Sequence, residues 1–320
     1  MTEPPSNPGV AGRAEDAPHV TQSPSLRQEE QTMIPESIEV GGGPRTYTVA
    51  GEADGKPSRA LVMIFHGSSQ TGQTHRKFTG AAYDSLASTG EAVVVYLDGH
   101  GGNWNDARRT SSFPARTDNM DDIGFTRAVV EKLAASHRID TGRVFLVGYS
   151  NGGQMVIRLM HEAPDLLAGA AVIAATLPAP ENFLAADASP APVPVALIHG
   201  TKDRIVPYAG GEMRWWVRKL FKVGGRSLSA PQTAAYFAEH NGITDEPVSS
   251  RLPQRPGSTD GTSVERTSYQ QQERPPVVLY TVHGGGHTIP GPAKGPALLG
   301  RTNQDIDTVE VLDEFFGIRR

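Results

Sequence analysis

The chain has 320 residues, enough for one large α/β domain, with a formal net charge of −5 from 30 basic and 35 acidic side chains. That balance gives no electrostatic case for binding nucleic acid or an anionic membrane surface. There is no cysteine, which excludes disulfides, thiolate metal sites and a cysteine nucleophile together.

The first 32 residues, rich in Pro, Ser, Glu and Gln, contain no apolar stretch. Residues 1–38 are therefore expected to form a disordered tail, since they cannot bury enough surface to offset ordering. The missing apolar core also predicts no secretory leader and a cytoplasmic location. No run in the chain approaches the roughly 18 apolar residues that a membrane span needs.

From residue 39 onward a single catalytic domain is expected. "PRTYTVAG" reads as an early strand, and "RALVMIFHG" (59–67) as a strand apolar throughout, the mark of burial on both faces. A short helix is expected in "FTGAAYDSLASTG", then a second buried strand in "EAVVVYLDG". "DDIGFTRAVVEKLAASHRI" places apolar residues at a helical period behind an aspartate cap. "RVFLVGYS" is a third buried strand, and "NGGQMVIRLMHEAP" a helix stopped by Pro164. Further strands follow in "GAAVIAA", "VPVALIHG" and "PPVVLYTVHG", with helices in "APQTAAYFAEHNG" and "NQDIDTVEVLDEFFG". The polar stretch 245–275 reads as a hairpin or edge excursion. Apolar strands alternating with helices predict an α/β fold, a mostly parallel central sheet covered on both faces.

Gly148-Tyr149-Ser150-Asn151-Gly152 has the G-x-S-x-G form, at the point where a buried strand meets a helix. Glycines there relieve backbone crowding at a sharp turn, which is how a serine nucleophile is held up for attack. A serine hydroxyl needs a base, a carboxylate to orient the base, and donors for the oxyanion. Asp203 follows the strand "VALIHG", 53 residues after Ser150, and His287 lies in a glycine-rich loop 84 residues further on. Ser150, Asp203 and His287 thus stand in the chain order of an α/β-hydrolase triad, each past the carboxyl end of a strand. His283, next to its strand, is the less suited of the two loop histidines. The oxyanion donors are expected to be the main-chain N–H groups of Asn151 and of Ser68 in "FHGSSQTG", with Ser69 behind it.

Several residues have a plainer reading. His240 ends a helix and suits its C-terminal dipole. Asp121 and Asp122 start a helix and suit capping rather than metal binding. Trp104 either lines the substrate pocket or packs its own loop. Residues 209–230, with Trp215 and Trp216 among basic side chains, form either a cap over the site or a basic surface segment. No metal-ligand spacing or phosphate loop is present, and no cofactor is expected.

With these motifs in view, the chain resembles the polyhydroxybutyrate depolymerase and feruloyl esterase-like family of α/β-hydrolase serine esterases. The matching stretches are "HGSSQTG", "DDIGFTRAVV", "VFLVGYSNGG", "IHGTKDRIVPYAGG", "TAAYFAEHNG", "GGGHTIPG" and "LGRTNQDIDTVEVLDEFFG", in the family's order over roughly residues 45–318. The resemblance implies Ser150 as nucleophile, Asp203 as triad acid and His287 as base. It implies a small or oligomeric ester as substrate: short-chain aliphatic, hydroxyalkanoate or hydroxycinnamate. The family commonly has Trp where Ile289 stands, so Ile289 joins Trp104, Tyr149 and Trp215 as candidates for the substrate wall. A serine peptidase of related fold and a non-catalytic binding protein are the alternative readings. Oligomeric state is not legible in the chain.

Overall fold

The computed structural model describes Met1, Thr2 and residues 33–319, apart from Asp54, Lys222 and Thr259. Residues 3–32 of the expected tail therefore lie outside the described residues. The first strand opens at Glu36, ahead of the boundary expected at residue 39.

In chain order the strands are β1 (Glu36–Val40), β2 (Gly43–Ala50), β3 (Arg59–Phe65), β4 (Ala92–Leu97), β5 (Ile139–Tyr149), β6 (Gly169–Ile173), β7 (Val195–Gly200), β8 (Gly211–Glu212), β9 (Arg226–Ser227), β10 (Val248–Arg251), β11 (Ser263–Tyr269) and β12 (Val277–His283). The helices are α1 (Gly72–Phe78), α2 (Pro114–Thr117), α3 (Asp122–His137), α4 (Asn151–Glu162), α5 (Trp215–Phe221), α6 (Ala230–His240) and α7 (Thr308–Phe316).

Ten strands form one sheet in the order β1-β2-β4-β3-β5-β6-β7-β12-β11-β10. The six central strands from β4 to β12 pair in parallel, and the flanking pairs are antiparallel. This is the α/β-hydrolase fold expected from the run of apolar strands. The polar stretch 245–275 is the hairpin β10–β11 at one edge.

Period-two alternation divides the strands between two cores. On β3, Leu61, Met63 and Phe65 pack with residues of α3, α4 and α6 such as Phe125, Met155 and Phe237. Ala60, Val62 and Ile64 face the other way, with Tyr83, Val309 and Leu312. Burial on both faces explains why no polar residue interrupts "ALVMIF". The helix expected in "FTGAAYDSLASTG" is a 3-10 helix over Ala82–Ala87, because α1 ends at Phe78 and Ala81 turns left-handed (φ 57°). Among the described residues, no helix is long and apolar enough to cross a membrane.

Several of the described histidines are buried without an acidic partner among their hydrogen bonds, His66, His75 and His161 the most deeply. His66, His75 and His161 each bond a carbonyl, amide or hydroxyl. Burial holds their rings down to about 4, about 3 and about 4 respectively. In the unfolded chain they titrate near 6.5, so between about pH 6.5 and 4 the unfolded state binds more protons. Stability is therefore expected to fall as pH drops through that window, by about 1.4 kcal/mol for each unit over which one ring's proton is withheld. Thermal melts across pH 4–7 test this; a flat melting temperature would contradict it.

Candidate active site

The parallel strands end at one edge of the sheet, and the loops beyond β3, β5, β7 and β12 meet there. Ser150 stands between the last residue of β5 and the first of α4 with φ 55° and ψ −115°, a conformation few non-glycine residues hold. Its main-chain N–H is tied to the Ile173 carbonyl at 2.8 Å. The turn leaves no room beside it: a methyl on Gly148 would overlap the Gly152 carbonyl oxygen, and one on Gly152 the Phe65 carbonyl oxygen. Although Ser150 sits at the helix N-cap, its hydroxyl makes no capping bond.

That hydroxyl lies 2.9 Å from His287 Nε2, and His287 Nδ1 lies 2.7 Å from Asp203 Oδ2. Asp203 is wholly buried at its side chain, and its other oxygen accepts from the main-chain N–H groups of Ile205 and Val206 at 2.8 and 2.9 Å. Burial alone would raise this carboxyl, but the facing His287 and His199 rings outweigh burial and hold it well below the usual carboxylate range. An ionised Asp203 can only accept, so the His287 proton sits on Nδ1 and Nε2 is left to accept from Ser150. The His287 main chain is fixed as well: its N–H donates to the Leu299 carbonyl, and its carbonyl accepts from the Tyr149 hydroxyl, both at 2.7 Å. Burial pushes the Tyr149 hydroxyl far up, which keeps it a donor.

The main-chain N–H groups of Ser68 and Asn151 have no hydrogen-bond partner among the described residues, and both residues line the hollow in front of Ser150. Ser69 is ruled out as the alternative donor because its N–H is spent on the Gly102 carbonyl at 2.8 Å. Two devices hold these donors in place. His66 Nδ1 donates to the Gly67 carbonyl at 2.7 Å, while its Nε2 accepts from the Gly99 N–H at 2.9 Å, pinning the loop that carries Ser68. The Asn151 side chain accepts from the Trp104 N–H at 2.9 Å and donates to Asp106 at 2.6 Å, a carboxylate also gripped by Arg108.

The hollow has a volume of about 120 Å³. Its apolar wall is a small cluster of Phe113, Val206, Met213, Val217 and Val223, which packs separately from the two main cores. Met213, Val217 and Val223 belong to segment 209–230, so this stretch supplies part of the wall. Its tryptophans do not take part. Trp215 is 75% exposed, on the face of α5 opposite the inward Val217, and lines a shallow surface hollow with Arg218 and Lys219.

The other expected wall residues divide. Tyr149 lines the hollow, with its ring centroid 5.2 Å from that of His287. Trp104 does not reach it: the side chain is fully buried, edge-on to Phe65, with its indole N–H on the His66 carbonyl at 2.9 Å. Ile289 lines a separate, smaller hollow with Phe78 and Pro290. The remaining candidates are structural. Asp121 caps α3 through the Gly124 N–H, and Asp122 forms a buried ion pair with Arg45 at 2.6 Å. His240 donates to the Tyr236 carbonyl within its own helix, and His283 faces Glu265 on the adjacent strand. Among the described residues, no group of three or more His, Asp or Glu side chains is arranged to hold a metal ion.

Residues that sequence reasoning missed include Asp106, Arg108, Phe113 and His199. His199 was detectable, as a polar residue inside the apolar strand "VALIHG"; it donates to the Val206 carbonyl at 2.9 Å beside Asp203. Asp106 gave no local signal, since its partner Asn151 is 45 residues away, and Arg108 acts through Asp106.

Comparison with known proteins bears on the family and the fold. A family model described as phospholipase/carboxylesterase matches residues 49–216. "Putative esterase NocK" of Nocardia uniformis subsp. tsuyamanensis is 30% identical over 298 residues, 89% of this chain and 82% of that protein. "Feruloyl esterase B" of Piromyces equi is 29% identical over 211 residues, which are 65% of this chain but 36% of the longer relative. Among solved structures, acetyl xylan esterase from Aspergillus awamori covers 89% of this chain and is itself covered over 100% of its length, with a TM-score of 0.56 at 16% identity. That likeness is one of fold.

Proposed function

This chain belongs to the phospholipase/carboxylesterase family and is a carboxylesterase-type hydrolase; we propose that it works through a Ser150–His287–Asp203 triad on esters with a short acyl group. The observation that carries the reading is the unbroken hydrogen-bonded line from the Ser150 hydroxyl through His287 to Asp203. Ser150 Oγ attacks the ester carbonyl carbon as His287 Nε2 takes its proton, and Asp203 stabilises the imidazolium that forms. The tetrahedral oxyanion rests on the N–H groups of Ser68 and Asn151, donors that cost no reorganisation because each is already free and fixed. His287 then protonates the departing alkoxide. A water, deprotonated by His287, attacks the acyl-enzyme and releases the acid.

The size of the hollow selects among the substrates that the resemblance implies. Its volume of about 120 Å³ is well under the roughly 300–1,000 Å³ of pockets that take drug-sized ligands. An acetyl to butyryl group fits such a space, whereas a hydroxycinnamoyl group needs the wall to move. With p-nitrophenyl esters, kcat/KM is expected to be highest from acetate to butyrate and at least about tenfold lower for octanoate and for methyl ferulate. A fluorophosphonate probe is expected to label Ser150. Failure to turn over any ester, with Ser150 unlabelled, would favour a non-catalytic binding protein; preference for the ferulate would overturn the short-acyl assignment.

A further inference from the structure

Beside the hollow at Ser150 lies a wider one of about 710 Å³, whose wall carries Lys202, Arg204, Arg214 and Arg301. The two hollows share their dividing segments. Arg204 faces the wide one and Ile205 the one at Ser150; Arg214 and Met213 divide in the same way, and so do Leu298 and Leu299.

All four cations are exposed, and none forms an ion pair among the described residues. Asp203, the acid on this wall, has its carboxyl turned inward to His287. In a chain of net charge −5, four unpaired cations on one wall oppose the general balance. Their mutual repulsion is relieved by an anion bound among them, and a cleft lined with one sign of charge concentrates ligands of the other.

The position says which part of an ester would meet this wall. The alcohol departs on the side of His287, since that ring hands it a proton. The loop that carries the base also carries Arg301 and Leu298 of this wall: the His287 N–H donates to the Leu299 carbonyl at 2.7 Å and the Gly286 N–H to the Arg301 carbonyl at 2.9 Å. The acyl chain is then left to the apolar cluster of Phe113, Met213 and Val217, which lines the hollow at Ser150.

We infer that this basic hollow is the leaving-group subsite, and that the preferred esters carry a carboxylate or phosphate on their alcohol portion. The inference rests on the proposed esterase reading. Three acetyl esters test it: 4-acetoxybenzoate, 4-acetoxyphenyl phosphate and the neutral 4-acetoxybenzamide, whose acyl group is the same.

At low salt, kcat/KM for at least one anionic ester is expected to exceed that for the amide by about tenfold or more, chiefly through KM. The better of the two anions identifies the charged group as carboxylate or phosphate. The preference is expected to collapse in about 0.5 M NaCl, where screening reaches only a few ångströms. It is also expected to collapse in Lys202→Glu/Arg301→Glu, with folding checked by thermal melting and the ratio of anionic to neutral kcat/KM as the readout. Equal rates on all three esters, or a preference that survives both salt and charge reversal, would overturn the subsite and leave the triad standing. No turnover of any ester and no fluorophosphonate labelling of Ser150 would overturn both.

Discussion

Ser150→Ala is expected to lower kcat on the preferred short-chain ester by on the order of 10⁶, leaving a residual rate ~10³–10⁴ above that in water, supplied by the oxyanion donors and substrate binding. The loss is large because in the proposed mechanism the hydroxyl oxygen forms the acyl bond, and it is the hydroxyl that His287 Nε2 holds at 2.9 Å. The protein should still fold, since the Ser150 side chain makes one hydrogen bond, to His287. The strained backbone offers an independent check. At φ 55° and ψ −115°, alanine carries the same strain as serine, whereas glycine relieves it. Ser150→Gly is therefore expected to be as inactive as Ser150→Ala but more stable, by about 1–3 kcal/mol. Steady-state kinetics and thermal melts of the two variants measure both effects. Retained turnover in Ser150→Ala would remove the nucleophile assignment, and equal melting points would remove the strain argument.

Asp203→Asn should cost about 10⁴ in kcat while keeping the fold, and the structure says why so small a change has so large an effect. One oxygen of Asp203 accepts two main-chain N–H groups, from Ile205 and Val206. An asparagine amide would keep its oxygen there, because its NH₂ would clash with both donors. The NH₂ is then aimed at His287 Nδ1, which must give up its proton and accept. The ring proton moves to Nε2, and Nε2 can no longer take the proton from Ser150. The expected result is a near-normal KM with a depressed kcat, read from progress curves against the wild type. A variant within tenfold of wild type would mean that the Asp203 carboxylate does not orient the base.

The proposed triad residues could be picked out in the chain because each is tied to a local signal. Gly148 and Gly152 are required within a few residues of Ser150 by the turn itself, so the pentapeptide carries its own explanation. Asp203 and His287 each follow an apolar strand, and parallel strands end at the same edge of a sheet. Order along the chain therefore implied meeting in space. The walls of the hollow had no such signal. Trp104 and Trp215 were candidates because they are large and aromatic, but size does not say which way a side chain turns. The buried Trp104 ring is tied to the His66 carbonyl, and α5 turns Val217 inward, which sends Trp215 out to solvent.

What the sequence determined by itself was the parallel sheet, the sharp corner at Ser150 and the order of Ser150, Asp203 and His287 along the chain. These follow from short-range rules: which side chains alternate, which backbone angles a residue tolerates, and which strand precedes which loop. Only the tertiary structure decided that Phe113, Met213, Val217 and Val223 would form one wall, that Asp106 would clamp Asn151, and that Lys202, Arg204, Arg214 and Arg301 would share another. Those groupings join loops from distant parts of the chain, and they come from close packing, which selects side chains by shape and position rather than by their neighbours in sequence.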